Sequence, residues 1–86
     1  MPRISEFFGI IIYMYFNEHS PPHFHAQYSG DEASFTIDTL EILEGSLPRR
    51  VNALVLEWAA LHRAELRNDW EKARQGMSLD SITPLE

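Results

Sequence analysis

Phe8 to Phe16 reads Phe-Gly-Ile-Ile-Ile-Tyr-Met-Tyr-Phe, a run of β-branched and aromatic residues with Gly9 inside its start and Asn17 just past its end. Such a run is too short for a comfortable helix, and its side chains suit a pleated surface, so it predicts a strand. Alternation places Phe8, Ile10, Ile12, Met14 and Phe16 on one face and Ile11, Tyr13 and Tyr15 on the other. Both faces are apolar, the mark of a central strand covered on two sides. The rest of the chain is therefore read for what could pair with this strand and what could cover it.

Downstream, Asn17 to Pro22 is turn-like, because Pro21 and Pro22 fix their own φ and push the residues before them towards extended geometry. His23 to Tyr28 can then pair back as a second strand. Beyond the Ser29-Gly30-Asp31 turn, Glu32 to Asp38 alternates Ala33, Phe35 and Ile37 with Ser34, Thr36 and Asp38, a half-buried strand. A short fourth strand is expected from Leu40 to Leu43. Ser46-Leu47-Pro48 reads as a helix start with Ser46 as N-cap. Val51, Leu54, Val55, Trp58, Leu61, His62, Leu66, Trp70 and Ala73 then recur at three- and four-residue intervals up to Gly76, predicting one long helix bent near His62 to Glu65. Residues 77–86 read as an extended arm, packed only where Leu79, Ile82 or Leu85 finds a groove. The expectation is a single α+β domain over residues 1–86: an antiparallel meander of three to four strands within 4–45, and one C-terminal helix over about 47–75 packed on one sheet face.

Composition narrows the function classes. The chain has 86 residues, 44% of them apolar, and no cysteine, which excludes disulfides and thiolate chemistry. It carries no charged-then-apolar leader and no apolar run of membrane-spanning length, so a cytoplasmic protein with no membrane partner is expected. The net charge of −6 is uneven: residues 1–47 hold one base, Arg3, and seven acids, while residues 48–86 hold six of each. General nucleic-acid binding is disfavoured, since phosphate neutralisation demands a clustered basic face.

In a strand, His23 and His25 point to the same face, with Phe24 and Ala26 on the other. Their rings are close enough to share a divalent metal such as zinc or nickel, and His19, across the Pro-Pro turn, offers a third nitrogen. Two histidines also divide general-base and general-acid roles in RNA cleavage, a site that needs a cation for the phosphate; Arg49-Arg50 is the only basic doublet. The candidate catalytic set is thus His23, His25 and Arg50, and the candidate metal set His19, His23 and His25. Against both stands the plain alternative that the histidines hydrogen-bond to neighbouring backbone or carboxylates. Arg49 and Arg50, placed at a helix N-terminus, require compensation, which Glu44, Glu41 or Asp38 could provide. His62, on the apolar stripe after Trp58, reads as a core histidine satisfied by one hydrogen bond. Tyr13 and Tyr15 read equally as buried sheet aromatics or proton donors. With one helix on the Phe24 side, the histidine face stays open, and an open apolar patch points to a homo-oligomer or a second protein.

Taken together, Ile4-Ser5, Phe8-Gly9-Ile10, Met14-Tyr15-Phe16, Pro21-Pro22-His23-Phe24-His25-Ala26, Leu47-Pro48-Arg49-Arg50, Leu56-Glu57-Trp58-Ala59 and Leu61-His62-Arg63 with Trp70 resemble the small prokaryotic domain-of-unknown-function 4160 family over nearly the whole chain. The resemblance implies one half of a two-gene unit similar to a type II toxin-antitoxin pair, whose other half belongs to the domain-of-unknown-function 2442 family. It brings no established catalytic residues. The expected function is a toxin-like protein neutralised by a cognate small antitoxin-like partner, acting on RNA through the histidine pair. The alternative is a non-enzymatic metal-binding or protein-interaction domain that uses the same histidines.

Overall fold

The computed structural model describes residues 2–86, in which five strands precede two helices. The strands are β1 (Arg3–Phe7), β2 (Ile10–Tyr13), β3 (His23–Tyr28), β4 (Asp31–Thr36) and β5 (Ile42–Ser46), and the helices are α1 (Arg49–Leu61) and α2 (Arg63–Arg74). All strand neighbours are antiparallel and the sheet order follows the chain, β1-β2-β3-β4-β5. The α+β class and the meander are as the sequence predicts, but the sheet has five strands rather than three to four, and two helices follow rather than one.

The first correction lies inside the stretch that predicted a single strand. Phe8 and Gly9 form a two-residue hairpin turn at φ of 51° and 79°, so the predicted strand is cut back to Ile10–Tyr13, ending before Met14, and Arg3–Phe7 ahead of the run forms an additional edge strand. Positive φ at both turn residues matches the right-handed twist of the flanking strands. Ser29 and Gly30 repeat the device between β3 and β4, at φ of 45° and 92°. β1 itself breaks alternation through a register shift between Arg3 and Ser5, which leaves Ile4 and Ser5 both buried.

The fourth predicted strand moves downstream to Ile42–Ser46, because Leu40 takes a left-handed φ of 61° and turns the chain, its N–H donating to the Thr36 carbonyl. Ser46 consequently pairs with Glu32 in the sheet and does not cap a helix. α1 starts from Pro48 instead, with no side-chain cap. The expected bend is a full break: His62 leaves helical geometry at φ −122°, ψ 25°, and separates α1 from α2.

The core lies between the helices and one sheet face. Ile10, Ile12, Phe24, Ala26, Ala33 and Phe35 meet Val55, Trp58, Ala59, Leu66 and Trp70, all buried. Phe24 stacks on Phe35 at 5.4 Å and meets Trp58 in a T-shaped contact at 6.0 Å. The C-terminal arm does find a groove: Ile82 is buried, its N–H donates to the Ile4 carbonyl at 2.8 Å, and Trp58 Nε1 donates to the Thr83 carbonyl at 2.9 Å. No helix among the described residues is long and apolar enough to cross a membrane.

Candidate metal centre

The histidines lie on the sheet face opposite Phe24 and Ala26, where Trp70 of α2 reaches His23. The pairings His25↔Ser34, Ser34↔Glu44 and Tyr13↔His25 place these residues side by side on that face. His23 and His25, two apart in β3, project together as predicted, with ring centroids 5.2 Å apart. A third group joins them from the turn that precedes β3. The loop between β2 and β3 folds back so that Glu18 Oε1 lies 2.7 Å from His25 Nε2 and Glu18 Oε2 lies 3.1 Å from His23 Nε2.

Each ring is held by its surroundings. His25 stacks on buried Tyr13, centroids 5.0 Å apart and planes 11° from parallel, and makes a T-shaped contact with Tyr15 at 4.9 Å. His23 is packed against Trp70 of α2 at 5.1 Å, and its Nδ1 lies 2.8 Å from the Pro21 carbonyl. A carbonyl oxygen only accepts, so Nδ1 of His23 carries the proton. In the neutral ring Nε2 is then a bare lone pair facing the Glu18 carboxylate, acceptor against acceptor. That contact is favourable only with a cation between them, either a second proton on the ring or a metal ion.

The histidines keep Glu18 ionised. Burial pushes the Glu18 carboxyl up, but the hydrogen bond from His25 and the charge and hydrogen bond of His23 outweigh it and hold Glu18 below the usual carboxylate range. Tyr13 is displaced the other way: burial first, then the Glu32 carboxylate and Tyr15, push its phenol far above its ordinary value, so it stays neutral. The donor atoms of Glu18, His23 and His25 all lie within 4.8 Å of one another. Tetrahedral zinc with bonds of about 2.1 Å spaces its ligands roughly 3.4 Å apart, so closure around an ion asks only for small side-chain movements.

The three groups open into a cleft of about 460 Å³ between the Glu18–Pro21 loop and the Leu43–Gly45 wall of β5, with Glu32 and Ser34 on its floor. Among the described residues, no lysine or arginine lines it. Gly45 shapes the far wall: at φ +77° its Cα approaches the Glu32 carbonyl so closely that any Cβ would overlap that oxygen.

The remaining sequence candidates are placed elsewhere. His19 is exposed and lines the cleft, outside the cluster of three converging donors. Arg49 and Arg50 are exposed at the start of α1, away from the cleft lining, and form no ion pair among the described residues. Asp38, read as a compensator for them, instead holds Arg67 at 2.9 Å. His62 makes its one hydrogen bond to Glu65, at 2.6 Å, and packs on Trp58. Sequence reasoning missed Glu18, the only acid between Tyr13 and the histidines; a turn that reverses the chain at two prolines was the signal that could bring it back onto β3.

No curated protein and no solved structure matches this chain. A family does match, over residues 9–71, a span that contains Glu18, His23, His25 and every strand from β2 to β5. The chain belongs to the family described as Domain of unknown function (DUF4160).

Proposed function

We propose that the protein binds a divalent first-row metal ion, zinc or nickel, through Glu18, His23 and His25, with the remaining coordination positions open to the cleft. The observation that carries this reading is the arrangement at His23: a backbone carbonyl fixes the proton on Nδ1 and leaves Nε2 facing a carboxylate. Metal-ligating imidazoles characteristically have such support behind them, and two imidazoles with one carboxylate form a ligand set that leaves room for water or substrate. In isothermal titration with Zn²⁺ and Ni²⁺, one ion per chain is expected, with affinity falling by at least about 100-fold in His25→Ala and by at least about tenfold in Glu18→Gln. Equal heats from wild type and both variants would remove the reading.

The second reading is a toxin-like component of a two-protein module. The open β5 edge and the exposed Phe8, Tyr15 and Phe16 side chains favour a protein partner. RNA cleavage by the histidine pair is the weaker form of this reading, because Glu18, Glu32 and Glu44 surround the histidines and Arg50 is elsewhere. Expression alone should arrest growth, and co-expression of the cognate small protein should restore it; normal growth in both cases would count against this reading.

A further inference from the structure

We propose that the outer edge of β5, Ile42–Ser46, is a docking strand for an extended basic segment of a partner protein, which joins the sheet as a sixth strand beside the acidic cleft. This inference goes beyond the metal reading and does not depend on it.

The two edges of the sheet are treated differently. The β1 edge is covered by the chain itself, through the Ile82 N–H to the Ile4 carbonyl. The β5 edge is bare. Every residue of Ile42–Ser46 is exposed, and among the described residues none of their backbone groups bonds outside the β4 pairing. An edge strand presents a row of free N–H and C=O groups, a template for one more strand. Ile42 and Leu43 add apolar surface, at 46% and 42% exposure.

Charge selects the occupant. Glu41 and Glu44 are exposed on or beside the strand, and Glu44 shares the cleft with Glu18 and Glu32. A second copy of the chain is a poor fit: the two-fold antiparallel register that overlaps all five residues of β5 with a second copy centres on Glu44 and sets one Glu44 directly opposite the other, between two chains that each carry −6. Like charges directly opposite across a strand pair are destabilising. A strand bearing Lys or Arg at every second position reverses each of those terms, because its basic side chains all fall on the cleft face, next to Glu44.

The test uses an acetylated peptide of about ten alternating Lys and Val residues, and its Glu-Val counterpart, titrated into the full chain with chelator present so that metal plays no part. The Lys peptide should slow amide exchange at Ile42–Ser46 at least about tenfold, bind at least about tenfold tighter than the Glu peptide at low salt, and weaken as salt is added. Glu44→Lys, checked for an unchanged circular dichroism spectrum, should lose that preference. Equal binding of both peptides, protection confined to other strands, or a peptide-free dimer whose interface protects β5 would overturn the proposal. Because the chelator separates the two sites, a failed metal titration leaves this result intact, and a failed peptide titration leaves the metal result intact.

Discussion

Phe8 shows how one side chain can hide an element boundary. It occupies a left-handed φ of 51° and is 60% exposed, so it bears the steric cost of that conformation for little burial. Left-handed geometry costs a bulky residue roughly 1–2 kcal/mol, and Asn followed by Gly is the preferred pair for this turn. Phe8→Asn is therefore expected to raise stability by about 0.5–1 kcal/mol in chemical denaturation, after loss of the Phe7 edge contact. Glu18 yields a pH prediction. Its folded-state pKa is held below the unfolded value, so its contribution to stability is present above the ordinary carboxylate range and is lost as the pH falls through the depressed folded value. Urea midpoints followed from neutral to acid pH should show wild type more stable than Glu18→Gln near neutrality and the two curves merging in acid. Tyr13 has the opposite sign. Its raised pKa keeps the phenol neutral in the fold, so alkaline absorbance titration should show one tyrosine that ionises only as the protein unfolds, a step missing in Tyr13→Phe.

Among the elements, the C-terminal arm has the most testable role. Residues 77–86 have no regular structure, yet they are pinned at several points: Ile82 in the core, Thr83 under Trp58, and the Asp80 N–H on Asp69 Oδ1 at 2.9 Å. Lys72 holds the Asp80 carboxylate from α2 at 2.6 Å. Truncating Ile82 keeps its backbone N–H but removes the buried side chain that seats the arm against β1. Ile82→Ala should cost about 2 kcal/mol, with amide exchange accelerated first in β1. The break at His62 is the other feature of this scale. It lets the apolar stripe of Val51, Val55 and Trp58 continue as Leu66, Trp70 and Ala73 in a differently directed helix, which carries Trp70 onto His23.

At the scale of the whole molecule, Trp58 joins the parts: it touches Phe7 at 5.4 Å, Phe24, His62 and the arm. A domain of this size has only about 5–10 kcal/mol of stability, and Trp→Ala in a core costs about 3–5, so Trp58→Ala should lose about half of its stability, read as a urea midpoint lowered by about half. The antiparallel meander, the β3 limits, the shared face of His23 and His25, and the apolar helical stripe were all legible in the residue pattern. All of these rest on side-chain periodicity, which is a local property. It did not reveal β1, whose register shift breaks alternation, nor the turn at Phe8, where a bulky residue adopts a conformation usually left to glycine. Which carboxylate meets the histidines, which sheet edge the arm covers, and that Arg50 stands apart from His23 and His25 were decided only by the tertiary structure. Those contacts join residues that local periodicity cannot relate: a proline turn, a bulge and a helix break set their relative directions, and each is fixed by packing against the rest of the fold.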